Sequence, residues 1–269
     1  MLKFIIPFHY LYFSRLKRKS EALSLIWIYP FYLFLFIFVF YGVQFYPNFI
    51  TFLLILFSWM SVYEIGYMEN DALTIRHETN PNIRIPQKDI LYIQHNFYKI
   101  SGIRYGILVI VVWLIFLFNL LTHLQIYIFL VAVGLGRTAF YFHNLIRSRL
   151  NILTYFVLCV VKYFVIPAIF LGRNYGFEPY LIVLLSFPII RTIEHSVKGK
   201  YKLETFKKRL GSLDGFRVKY YGVLLILSLV LVLNYGFSQL LIYSIGYFFI
   251  YRVVIFVLLK LGKYSRDSV

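Results

Sequence analysis

The chain has 269 residues, 61% of them hydrophobic and 14% charged, with a formal net charge of +17. An ordinary soluble domain is about 25% charged, so at a mean hydropathy of +0.74 too little polar surface exists to clothe a water-soluble globule. Lipid is the expected solvent. The basic residues fall between apolar runs, as expected for loops facing anionic lipid, which argues against nucleic acid as a partner.

Residues 1–21 are rich in Phe and Tyr and end in the basic run Arg15, Lys17, Arg18, Lys19. An apolar stretch followed by basic residues, without a small-residue cleavage site, has the wrong order for a cleavable signal and reads as an interfacial, cytoplasmic anchor. Apolar runs near the twenty residues a bilayer demands follow at 22–42, 49–68, 101–122, 124–146, 150–172, 179–196, 216–236 and 238–260. They are continuous rather than alternating, which excludes a transmembrane barrel. The expected fold is a single all-α integral-membrane domain over 1–269, a polytopic bundle of eight, at most nine, spans. Cys159 lies inside such a run and reads as an inert packing residue.

The connections at 43–48, 122–125 and 237 lack Lys and Arg, whereas 1–21, 69–100, 147–149, 191–219 and the tail from Lys260 hold nearly all of them. That alternation places both termini and the two long loops, 69–100 and 191–219, on the cytoplasmic side of a plasma membrane.

The chain has only 11 acidic residues, yet Glu64, Glu69, Asp71 and Glu78 fall together around the end of the second run. Seven residues bring a helix back to nearly the same face, so Glu64, Asp71 and Glu78 form one acidic stripe with Asn70 and Thr74 beside it. An intramembrane carboxylate is costly and marks a functional interior by default. Clustered carboxylates also call for a shared cation, and hard oxygen donors suit Mg²⁺, which takes one or two carboxylates plus substrate phosphates.

At the end of the fourth run stand Tyr141, Arg147 and Arg149, with Arg137 deeper behind Gly134 and Gly136, which permit close helix approach. Lys162 and Arg252 are further intramembrane cations. At the end of the sixth run, Arg191, Glu194 and Lys198 stand at i, i+3 and i+7 on one helical face, followed by Lys207, Lys208, Arg209, Arg217 and Lys219. A metal holder and fixed cations are the two parts that a diphosphate site needs.

The run Asn70-Asp71, with Glu78 eight residues beyond the Asn and an Asn80-Pro81…Arg84 tail, resembles the first aspartate-rich motif of the UbiA superfamily of intramembrane transferases. Thr74 stands where that motif has its middle acidic residue. The second motif of the family follows the sixth helix, where this chain has Arg191-Thr-Ile-Glu194. Within the superfamily the pattern looks most like the polyprenyl-phosphate (decaprenyl-phosphate) phosphoribosyltransferases. The resemblance implies a cytoplasmic-face, Mg²⁺-dependent transfer of a 5-phosphoribosyl group from phosphoribosyl diphosphate to a polyprenyl phosphate or another lipid-linked acceptor. It implies Asn70, Asp71 and Glu78 around the metal, and Arg84, Arg191 and Lys198 on the phosphates, with Tyr141 and Arg147 also lining the substrate. Glu194 would act as a base or position a sugar hydroxyl. Two alternatives stay open: a prenyltransferase that moves a polyprenyl group to an aromatic or quinone-precursor acceptor, and a non-enzymatic transporter or lipid-binding protein.

Overall fold

The computed structural model describes residues 1–16, 19–75, 82–172 and 174–264, and the described residues form helices and connections with no strand. Among the described residues, seven helices are long and apolar enough to cross a membrane: Glu21–Phe40, Phe45–Thr74, Gln87–Leu117, His123–Leu145, Asn151–Phe170, Leu213–Tyr235 and Leu240–Lys260. The chain is therefore an all-α integral membrane protein. Its many exposed Leu, Ile, Val and Phe side chains would each cost about 25 cal/mol per Å² in water, and lipid removes that cost. The contacts divide the chain into two compact units, Met1–Asn174 and Tyr175–Val269.

In the first unit, two short helices, α1 (Leu2–Ile5) and α2 (His9–Arg15), precede a span that begins as α3 (Lys19–Ile26). That span widens into a π-turn at Trp27–Phe31, passes through α4 (Tyr32–Phe34) and widens again at Leu35–Phe40. Pro30 lies inside the first π-turn. Proline has no N–H to donate and its ring crowds the carbonyl four residues back, so the looser π register absorbs it without breaking the span. The centre of the unit is α5 (Phe45–Met68), which continues as a π-turn, Glu69–Thr74. Burial inside the protein reaches 72% over this span, against 28–39% for the other four of the unit.

Around α5 pack α6 (Gln87–Leu117) and α7 (His123–Leu145), and α7 pairs in turn with α8 (Asn151–Phe170). The α5–α7 contact is close at two glycines. A Cβ on Gly66 would lie 2.3 Å from the Phe140 ring, and one on Gly136 2.9 Å from Trp59. Gly134, expected to share this role, has open space where its Cβ would be. Helix α6 also starts at Gln87, so residues 87–100, placed in a loop by their polarity, are helical. Pro86 at the N-cap and Asp89 in the first turn are start signals that a hydropathy window does not register. Cys159 is buried in α8.

In the second unit, the segment expected as the sixth span is two nine-residue helices, α9 (Glu178–Ser186) and α10 (Pro188–Ser196), broken at Phe187 with φ −145° and ψ −54°. Pro188 cannot donate to the preceding turn. The hydroxyls of Tyr220 and Tyr221 instead donate to the Leu185 and Ser186 carbonyls at 2.8 and 2.6 Å, satisfying acceptors that the break exposes. After α11 (Glu204–Leu210), the hairpin of α12 (Leu213–Tyr235) and α13 (Leu240–Lys260) turns at Gly236, whose φ of +69° suits a residue without Cβ.

Candidate functional site

In the first unit the two described members of the expected acidic stripe, Glu64 and Asp71, each have a cation. Glu64 is fully buried and pairs at 2.9 Å with Arg104, itself fully buried on α6. Its Oε1 also accepts the Leu11 backbone N–H at 2.7 Å. The Arg104 guanidinium donates to the carbonyls of Phe4 at 2.6 Å and Ser61 at 2.8 Å. The two charges thus offset one another inside the unit, and backbone groups of Leu11, Phe4 and Ser61 share in their hydrogen bonding, which is what makes a buried ion pair tolerable.

One π-widened turn further along, Asp71 is buried and its carboxylate is saturated. Arg15 donates to both oxygens, at 2.6 and 3.0 Å, Arg84 donates to Oδ1 at 3.1 Å, and the Tyr10 hydroxyl donates to Oδ2 at 2.9 Å. Asn70 reaches Oδ1 at 3.4 Å. Burial, reinforced by the neighbouring Asp71 charge, pushes the Tyr10 phenol well above its ordinary value. Burial acts to lower the Arg15 value, but the ion pair outweighs it and the net shift is upward. Both groups therefore stay protonated as donors. Glu69 pairs with Arg137 at 3.2 Å, and Arg147 donates to the Thr74 carbonyl at 3.1 Å. Three of the expected residues, Asp71, Asn70 and Arg84, thus meet directly, and Arg147 joins the same turn. Tyr141 does not: the residue is 56% exposed and its ring packs edge-on against Phe142. Glu78 lies outside the described residues.

The donors described here do not fit a Mg²⁺ ion. Both Asp71 oxygens are taken by guanidinium groups, and among the described residues no three His, Cys, Asp or Glu side chains gather. The expected metal set of Asn70, Asp71 and Glu78 therefore has only its first two members in view, in a setting built for cations that are already covalently part of the chain.

In the second unit Arg191 and Glu194 pair on α10 at 2.5 Å, as their i, i+3 spacing implies. Arg217 on α12 donates to the other Glu194 oxygen at 2.5 Å and to Asp214 at 2.7 Å. Burial alone would raise the Glu194 carboxyl, but Arg191 and Arg217 hold it down at about 2. Lys198 follows the last turn of α10, with its side chain exposed.

Sequence reasoning missed Tyr10, Arg15, Arg104 and Arg217 as partners. Arg104 could have been found, because an intramembrane Glu64 demands an intramembrane cation and Arg104 is the one charge in its apolar run. Arg15 was hidden in a run of basic residues that already had an interfacial explanation. Compared with known proteins, the chain matches no family model, no curated sequence and no solved structure.

Proposed function

We propose that the chain is a membrane transferase of the UbiA type that takes a diphosphate-activated donor, 5-phosphoribosyl diphosphate, and passes the sugar to a polyprenyl phosphate or similar lipid-borne acceptor at the cytoplasmic face. The observation that carries the reading is the Asp71 centre: guanidinium groups from Arg15 and Arg84 converge on one buried carboxylate at the end of a membrane-length helix. Both arginines keep part of their surface exposed, 19% and 30% of the side chain. A diphosphate offers more negative charge and more acceptor oxygens than one carboxylate, so these forks can pass to it. π-turns also recur at functional sites, and Asp71 lies in one.

In the reaction, an oxygen of the acceptor phosphate bonds to the anomeric carbon as the C–O bond to the diphosphate breaks. The electron pair leaves with pyrophosphate, so the chemistry is chiefly charge stabilisation, and arginines supply it. Arg191 and Lys198 have that role by the resemblance. Glu194, held at about 2 with both oxygens engaged, is a weak proton acceptor; its role here is to position Arg191 and Arg217. Mg²⁺ rests on the resemblance alone, and no step above uses it.

The test is a turnover screen of the purified protein, with and without Mg²⁺, in which radiolabelled phosphoribosyl diphosphate is offered with polyprenyl phosphate and radiolabelled prenyl diphosphate with an aromatic quinone precursor, the labelled products being separated from unreacted donor. The expected result is label in the lipid phase from the phosphoribosyl donor, falling at least a hundredfold in Arg84→Met. Label from the prenyl donor alone moves the protein to the prenyltransferase reading, and label from neither ends the transferase reading.

A further inference from the structure

One charged cluster of the second unit holds a buried cation with an unmet donor. Among the described residues, α10, α12 and α13 carry three guanidinium groups, Arg191, Arg217 and Arg252, and two carboxylates, Glu194 and Asp214. Both Glu194 oxygens are used by Arg191 and Arg217, and Arg217 also holds Asp214. Arg252, on α13, is 5% exposed and within electrostatic reach of Glu194, Arg217 and Tyr221. Its guanidinium lies 5.1 Å from the Tyr251 ring, yet its Nε is buried without a hydrogen-bond partner among the described residues.

A buried cation with an unmet donor is expensive: the charge has lost its water, and Glu194, whose oxygens are engaged by Arg191 and Arg217, offsets it only through space. Such groups persist in membrane proteins where function uses them. The floor beside it is rigid. Tyr221 stacks on Phe248 with ring centroids 5.5 Å apart and planes 10° from parallel, and its hydroxyl is committed to the Ser186 carbonyl. Arg217 and Tyr221 are i, i+4 neighbours on α12, and Phe248 and Arg252 are i, i+4 neighbours on α13, so each helix presents one aromatic and one cationic residue on a single face. Arg191 keeps 36% of its side chain exposed and leaves the cluster open to an incoming ion.

We propose that Arg252, with Arg217 and Arg191, forms a binding site for a phosphate or diphosphate group, the anion supplying the acceptor that Arg252 Nε lacks. Tetrahedral phosphate oxygens match guanidinium forks, and one anion offsets the surplus positive charge. The group is carried either by a water-soluble molecule or by a lipid headgroup. The site extends the diphosphate reading to residues that the two motifs do not contain. Its test measures binding alone and does not depend on turnover.

Thermal unfolding of the purified full chain in detergent is followed while inorganic pyrophosphate is titrated, and in parallel while dihexadecyl phosphate is added to the micelles. The wild type is expected to be stabilised by one of the two, and which one assigns the carrier. In Arg252→Met the half-maximal concentration rises at least tenfold, while the ligand-free protein melts at or above the wild-type temperature because an unpaired buried charge is gone. That combination is the signature of a binding residue, since a structural arginine would lower stability when removed. Arg252→Lys, which keeps the charge and loses the fork, weakens binding at least fivefold and carries the test if Arg252→Met does not fold. No response to either anion in the wild type overturns the proposal, and so does an unchanged response in Arg252→Lys. Arg84→Met separates the two readings: if it abolishes the response while both Arg252 variants retain it, the anion belongs to the Asp71 centre and the proposed function stands without this site.

Discussion

The charged clusters of the two units are paired differently. In the first, every described carboxylate at the α5 end is closed by a cation: Glu64 by Arg104, Glu69 by Arg137, Asp71 by Arg15 and Arg84, and on α6 Asp89 by Lys3 at 2.7 Å. In the second, Glu194 is doubly paired while Arg252 keeps an unmet donor. Closed pairs fasten elements to one another, whereas an open cation is poised for something that is not protein. Much of the fastening in the first unit serves residues 1–15, which have little apolar length of their own. The Leu11 N–H and the Phe4 carbonyl are both tied to the Glu64–Arg104 pair, so the N-terminal helices are held by charges belonging to the spans.

The sharpest way to break the comparison is at the closed pair. Arg104→Met strands Glu64 in the interior and leaves the Phe4 and Ser61 carbonyls without their donor. Removing one partner of a buried pair costs about 3–5 kcal/mol, so this is the largest expected loss, measured by denaturant unfolding in detergent. Glu64→Gln combined with Arg104→Met should recover much of it, because the stranded charge is then gone. A double variant no better than Arg104→Met would show that Arg104 acts through the carbonyls and not through the charge.

Arg15→Met comes next. It removes two charge-assisted hydrogen bonds to Asp71, while Tyr10 and Arg84 remain on the carboxylate. Hydrogen bonds to charged groups contribute about 1.5–3 kcal/mol each where well buried, and less here because Arg84 stays. The loss should be local: amide exchange accelerates in residues 1–15 and changes little in α7 and α8. Uniform acceleration through the unit would mean that α2 is integral to the bundle.

The all-helical class and most span positions were legible in the sequence because hydropathy integrates over some twenty residues and tolerates local error. What it could not resolve was governed by single residues. Pro188 divides the sixth apolar run into α9 and α10 without changing its composition, and Pro86 with Asp89 starts α6 well before the apolar window. The carboxylates of the site were visible because there are so few of them. Their partners were not, since Arg15 and Arg217 are two among 28 basic residues and only packing shows which of these turn inward. Glu78, central to the resemblance, lies outside the described residues, so the metal expectation gains no support from the Asp71 centre as it stands.

The smallest effect tests the second unit through pH. The Glu194 carboxyl is shifted from the ordinary value of 4.5 down to about 2, so the folded state holds it ionised where the unfolded chain has begun to protonate. A depressed carboxyl contributes stability that is fully present above the unfolded value and is lost as pH falls toward the folded one. Wild-type melting temperature should therefore decline between about pH 4.5 and 2 more steeply than that of Glu194→Gln, and the two curves should converge at the acid end. The difference is modest because Arg191 is partly exposed and its share of the pairing is screened by solvent. At pH 7, Glu194→Gln leaves Arg191, Arg217 and Arg252 facing one another with only Asp214 to offset them. Pyrophosphate should then stabilise Glu194→Gln more than it stabilises the wild type, because the added anion takes the place of the lost carboxylate as well as filling the open site. Equal stabilisation of the two proteins would mean that the anion never meets these arginines, and the contrast between the two charged clusters would fail at Arg252.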